Sequence, residues 1–334
     1  MSDKADLVLE GGGTKGLGLL GAVTRLMEQG YTFPRVAGTS AGSILAAFLA
    51  AGVDAEGIVK VMGRLDYSRV PDLARPRIPV ASEAVSLLAE GGAHPGNYAY
   101  SWIREELSKL GVTTFADLRL NDRGADKNLR PNQRYKLVVI ATDITQGRLL
   151  RLPWDYELFD RDPDKELVAD AVRASMSIPL YFKPRKLRNE RTGEESTLVD
   201  GGVLSGFPVE IFDRTDGKHP RWPTFGVKII PALPGADAAL FPPFALPTLP
   251  PLRQLEQVLA TALAGHDQTY IDQPCVRRRI IDVDTRSIGL TEFNADKHKR
   301  DGVIEKGREA ADQFLAGWNW NAYKAECRGG DDTQ

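Results

Sequence analysis

The pentapeptide Gly38-Thr39-Ser40-Ala41-Gly42 fits G-x-S-x-G, the pattern of a nucleophile elbow. In such an elbow a sharp strand-to-helix turn pushes a serine hydroxyl out at the carboxyl edge of a sheet. Small residues flank the serine because a larger side chain would clash within the turn. Three fixed positions are a weak signal by themselves, and context strengthens it. Arg35-Val36-Ala37 reads as a short strand before the motif, and the Ala- and Leu-rich run that stops near Gly52 reads as a helix after it.

A second glycine cluster, Gly11-Gly12-Gly13-Thr14-Lys15-Gly16, follows the apolar strand Leu7-Val8-Leu9 and precedes Leu17, Leu19, Leu20, Val23, Leu26 and Met27 at helical spacing. Gly11, Gly13 and Gly16 satisfy the dinucleotide fingerprint G-x-G-x-x-G. The acidic residue that would hold a ribose is missing, however, because Gly38-Thr39-Ser40 occupies its place. A phosphate loop fails as well, since Leu17 and Gly18 follow the last glycine instead of Lys and Ser or Thr. Two readings remain: a tight turn with no ligand, or bare backbone amides at a helix N-terminus aimed at a developing oxyanion. The second makes Gly11, Gly12 and Gly13 the donors.

A serine hydroxyl also needs a base, usually histidine. His94, His219, His266 and His298 lie in polar or proline-containing stretches with no motif around them and read as surface residues. Asp200 instead follows the apolar strand Leu198-Val199 and precedes Gly201-Gly202, where the backbone leaves room for a close neighbour. A carboxylate held within roughly 2.6–3.2 Å of a hydroxyl can take the proton directly. The competing reading is an aspartate that only caps a turn.

Positioning these groups falls to the surrounding elements. Two successive strand-turn-helix units, the first helix ending at Gly30, imply a parallel sheet covered by helices. Residues 53–130 read as a mostly helical insertion over the sheet, with Val80 to Leu88 and Tyr98 to Leu110 as helices and a polar loop from Asn121 to Gln133. Strands return at Tyr135 to Ala141 and Arg148 to Leu152, joined by the turn Asp143 to Gly147, and a helix from about Asp164 leads to Ala174-Ser175. Phe225 to Ile230 and Ile280 to Val283 are later strands. Seven prolines between Pro231 and Pro251, with Phe241 and Phe244 among them, make a long loop placed beside an apolar pocket or a lipid surface. The expected organisation is one domain over residues 1–325 and a flexible tail over 326–334.

Together the motifs carry a family likeness. The chain resembles the patatin-like phospholipases of bacterial type in joining a glycine-rich loop (Gly11 to Gly16), a G-x-S-x-G serine (Gly38 to Gly42) and a later D-G-G aspartate (Asp200 to Gly202). A fourth stretch, Ala174-Ser175-Met176-Ser177-Ile178-Pro179-Leu180-Tyr181-Phe182, is similar to the family's A-S-x-x-x-P-x-x-F block, and Val303 to Leu315 to its C-terminal helix. The resemblance implies a three-layer α/β/α sandwich with a mostly parallel sheet. It also implies a lipid acyl hydrolase working through a Ser40–Asp200 dyad and an acyl-enzyme. Glu10 replaces the aspartate that plant members place before the glycines. Lys15 stands where relatives carry Lys or Arg, as a solvated residue or a contact for an anionic head group.

Composition narrows the partners. With 43 basic and 45 acidic residues in 334, the formal charge of −2 provides no field to attract nucleic acid or anionic lipid, so a partner must be recognised locally. Lipid esters are the expected substrates, with peripheral membrane contact, no cofactor and no metal; none of the carboxylates lies in a calcium loop. Cys275 and Cys327 read as plain thiols, and with no signal-peptide or membrane-length apolar run a cytoplasmic home is expected. Two rivals stand beside this reading: an α/β-hydrolase esterase adding a histidine to Ser40 and Asp200, and a non-catalytic lipid-binding module.

Overall fold

The computed structural model describes residues 3–72, 91–120, 129–214, 219–230, 268–290 and 292–327, with 216, 258 and 261. At its centre lies an eight-stranded sheet built from β1 (Asp6–Leu9), β2 (Val36–Thr39), β3 (Leu137–Asp143), β4 (Arg148–Leu152), β5 (Arg185–Arg188), β6 (Glu195–Asp200), β7 (Thr224–Ile230) and β8 (Ile280–Asp284). Every residue of β1, β2 and β3 is buried, as central strands covered on both faces must be. The order β8-β7-β1-β2-β3 is parallel throughout, and β6 and β5 continue it antiparallel.

Helices α1 (Gly16–Glu28), α2 (Ala41–Ala50), α3 (Ala55–Gly63), α4 (Asn97–Lys109), α5 (Val168–Ser175), α6 (Lys297–Gly317) and α7 (Trp320–Cys327) cover both faces and complete a three-layer α/β/α sandwich. One continuous apolar core runs from Leu7 and Leu9 through Phe48, Phe115 and Phe207 to Val283.

Register around β3 brings the ends of β2 and β6 together. From Val139 to Asp143 one edge of β3 is occupied by antiparallel β4. The other edge is shared end to end: parallel β2 pairs Thr39 with Ile140, and antiparallel β6 pairs Asp200 with Ala141. Two strands running in opposite directions therefore aim their carboxyl ends at each other over consecutive residues of β3, which are only about 3.3 Å apart. Ser40, which follows Thr39, and Asp200, which ends β6, are thereby brought to the same stretch of β3.

Several expectations need correction. The helix expected from Asp164 starts at Val168, because Pro163–Lys165 instead form a 3-10 turn in which the Asp164 N–H is met by the Asp162 carboxylate. The 53–130 region contains α3 and α4, but also a short strand, Gly92–His94, that pairs with Leu180–Phe182. Cys275 and Cys327 are not free thiols; they form a disulfide that ties α7 to the short helix Pro274–Arg277. This removes the argument for a reducing interior that rested on unpaired cysteines, and it extends order past Ala325, where fraying was expected. Val80 to Leu88, residues 121–128, the proline-rich stretch 231–251 and the tail 328–334 lie outside the described residues. Among the described residues no helix is long and apolar enough to cross a membrane.

Candidate active site

Ser40 sits between the end of β2 and the start of α2 with φ 49° and ψ −123°, a left-handed backbone that L-residues rarely adopt. Strain of this kind persists where the surroundings over-determine it. Here the surroundings are backbone: a Cβ on Gly42 would fall 2.5 Å from the Leu9 and Glu10 carbonyl oxygens, and one on Gly38 2.4 Å from the Gly42 oxygen. The small residues of the motif let β1, β2 and α2 close on one another around the serine. Gly16, at the start of α1, is packed against Ala41 in the same way.

Asp200 ends β6 and caps the 3-10 turn Gly201–Val203, its Oδ1 accepting from the Gly202 N–H at 2.8 Å. Close packing of Gly201 on the Ile140 carbonyl presses this turn against β3. The Asp200 side chain is 2% exposed and Ser40 is 4% exposed. Burial pushes the Asp200 carboxyl up to about 6, against the opposing effect of hydrogen bonds from the Ser40 side chain and the Gly202 N–H. The two side chains, separated by 160 positions in sequence, are thus near enough for the Ser40 hydroxyl to favour the ionised carboxylate, and both residues are buried.

The glycine turn approaches Ser40 directly, a Cβ on Gly11 meeting the Ser40 Cβ at 3.2 Å. The three amides are not equivalent. Gly11 donates its N–H to the Gly206 carbonyl at 3.2 Å, so it is engaged in the structure. Gly12 and Gly13 precede and begin the 3-10 turn Gly13–Lys15, and their N–H groups make no backbone hydrogen bond among the described residues. The turn is shaped so tightly that a Cβ on Gly12 would fall 2.0 Å from the Ile229 Cδ1, and one on Gly13 2.1 Å from the Leu290 oxygen. Thr14 locks it by donating its hydroxyl to the Gly289 and Leu290 carbonyls at 2.6 and 2.9 Å.

Lys15 is not a solvated residue: it is 5% exposed, and burial lowers the pKa of its ammonium against the attraction of Glu10. Glu10 itself accepts from the Ile229 N–H at 2.5 Å and faces Lys228 at 3.4 Å, which anchors the strand end ahead of the glycines.

Beside Ser40 opens an apolar cleft of about 720 Å3, part of it open to solvent. Gly13, Gly16, Ser40 and Ala41 form its end at the serine elbow. Ile44 and Leu45 of α2, Met62 of α3, Trp102 and Ile103 of α4, Met176, Ile178 and Phe293 form its walls. Part of this lining comes from the region between residues 53 and 110 and from Phe293, which carry no motif; from sequence the first is expected only to cover the sheet. No histidine lines the cleft among the described residues. His94, expected at the surface, is buried against Tyr181 and Phe182, at 4.6 and 6.3 Å between ring centroids. His219 is half-buried and His298 exposed, while His266 lies outside the described residues.

Comparison with known proteins gives the family. An uncharacterized Bacillus subtilis protein, YqhO, is 32% identical over 317 residues, covering 94% of this chain and 99% of its own. An uncharacterized NTE family protein of Mycobacterium tuberculosis is 27% identical over 322 residues, and these span 91% of this chain but 45% of that longer protein. Among solved structures, VipD from Legionella pneumophila shares the fold with a TM-score of 0.51 at 19% identity, the match covering 93% of this chain and 66% of VipD. The patatin-like phospholipase family model matches residues 7–213, the stretch that runs from β1 through the glycine turn, the Ser40 elbow and Asp200, and the chain belongs to that family.

Proposed function

We propose that this protein hydrolyses the carboxylic esters of lipids through a Ser40–Asp200 dyad. One observation carries the reading: a serine on a strained backbone turn, beside a buried carboxylate whose ionised form it favours, stands at the head of an apolar cleft. In the first step the Asp200 carboxylate takes the Ser40 proton while Oγ bonds to the acyl carbon. Negative charge moves to the carbonyl oxygen, and the N–H groups of Gly12 and Gly13 receive it. Collapse of this intermediate expels the alcohol, which leaves with the proton from Asp200, and an acyl-serine remains. Water, deprotonated by the same carboxylate, then attacks the acyl-serine; the fatty acid departs and Ser40 recovers its proton.

The apolar walls take the acyl chain, and Lys15, a buried cation beside the glycine turn, is assigned to an anionic head group. Fixed donors of the Gly12 and Gly13 kind are typically worth about 2.7–4 kcal/mol each in the transition state. Working on lipid in a bilayer implies peripheral contact with a membrane surface. The reading is tested by fatty acid release from mixed phospholipid vesicles: wild type is expected to release it and Ser40→Ala to release none above background. Equal release by both would overturn the assignment.

A further inference from the structure

The A-S-x-x-x-P block, residues 174–179, supplies neither nucleophile nor base, yet it is bonded to both. Ser175, at the last turn of α5 and fully buried, accepts the Ser40 N–H on its Oγ at 2.8 Å and donates its own proton to the Ile140 carbonyl at 2.5 Å. Ile140 is the β3 residue opposite Thr39, and its carbonyl is the one against which Gly201 is pressed. Two residues later the Ser177 carbonyl accepts the Asp200 N–H at 2.9 Å.

That short stretch is itself clamped. Arg173, 1% exposed, donates through Nη1 to the Ser177 Oγ at 2.7 Å and through Nη2 to the Pro95 and Lys183 carbonyls at 2.6 and 3.1 Å. Ser177 returns its hydroxyl proton to the Arg173 carbonyl at 2.9 Å.

We infer that Ser175 is a positioning residue: its hydroxyl holds the backbone N–H of the nucleophile in the strained elbow while Ser177 holds that of the base, so one turn of chain sets the distance between them. The inference rests on the Ser40–Asp200 reading and adds to it. Ser40 cannot keep its positive φ from sequence preference, because serine gains nothing there. Its N–H, buried behind the elbow, has the Ser175 oxygen as acceptor, and an unmet buried donor is costly enough to favour rotation out of the elbow. Rotation would carry Oγ away from Asp200 without altering the cleft that binds the acyl chain. The effect therefore belongs in kcat and not in KM.

A pair of variants with the same side-chain volume isolates the hydroxyl. Ser175→Thr keeps a donor and acceptor, Ser175→Val does not, and any crowding is common to both. With a medium-chain p-nitrophenyl ester as substrate, Ser175→Val is expected to fall roughly 10- to 100-fold below Ser175→Thr in kcat, with KM within about twofold. Labelling by a fluorophosphonate should slow by the same factor. Thr24→Ala, which removes another buried hydroxyl that bonds only within its own helix, serves as the control and should leave kcat unchanged. A kcat for Ser175→Val within threefold of Ser175→Thr, or a loss confined to KM, overturns the positioning role while Ser40→Ala still abolishes turnover. Wild-type turnover by Ser40→Ala would instead overturn the dyad beneath it.

Discussion

Because burial holds the Asp200 carboxyl near pH 6, its availability as a base depends on pH in a range that is easily measured. The proposed mechanism needs the carboxylate, so kcat/KM is expected to fall tenfold per unit as pH drops below about 6 and to be flat above it. A flat profile from pH 4.5 to 8 would exclude Asp200 as the base. The same shift has a consequence for stability, with the sign fixed by linkage. A carboxyl raised from 3.8 to about 6 binds its proton more tightly folded than unfolded. The folded state therefore loses stability as pH rises through that window, by on the order of 3 kcal/mol. Asp200→Asn is accordingly expected to abolish activity and yet to melt higher than wild type at pH 7.5. The difference should vanish near pH 4, and differential scanning calorimetry at the two pH values checks it. The glycine turn is less forgiving. Gly13→Ala must displace the Leu290 carbonyl, and distortion of its donor is expected to cost about 100- to 1,000-fold in kcat, read by steady-state kinetics on a soluble ester.

At the scale of elements, β1, β2 and the two helices that follow them were legible because their signals are local: a short apolar run, glycines with a mechanical reason, then period 3.6. Arg148–Leu152 and Ile280–Asp284 were legible for the same reason. What sequence could not display was the sharing of one edge of β3 by β2 and β6, since register between segments far apart is set by packing and not by either segment alone. Ser40 and Asp200 could each be picked out, but their meeting follows from Thr39 lying opposite Ile140 and Asp200 opposite Ala141. β5, Arg185–Arg188, escaped notice because an edge strand of charged residues lacks the apolar pattern. The disulfide escaped because its two cysteines lie 52 residues apart and no motif links them. Closing a loop of that size stabilises by about 4 kcal/mol in the chain-entropy account. Both cysteines lie outside the lining of the cleft, so reduction is expected to lower the urea midpoint while initial rates under native conditions stay unchanged. Loss of activity in step with reduction would tie α7 to the site.

Across the whole molecule, the helices do more than cover the sheet: α2, α3 and α4 leave an apolar cleft that starts at Ser40. Each methylene removed from water is worth about 0.8 kcal/mol, close to fourfold in binding. Among soluble p-nitrophenyl esters, kcat/KM is therefore expected to rise steeply from acetate through butyrate to octanoate. Equal values along the series would mean that the acyl chain lies elsewhere. With a formal charge of −2 the surface offers no general attraction for anionic lipid, which on the proposed function leaves recognition to the cleft.

The central claim is that Ser40 is a nucleophile made reactive by Asp200, and covalent labelling tests it most directly. A fluorophosphonate should add to Ser40 alone, as located by tandem mass spectrometry of the digested protein, and Asp200→Asn should label at least 100-fold more slowly while remaining folded. An adduct on another serine, or a labelling rate for Asp200→Asn equal to that of wild type, would contradict the account.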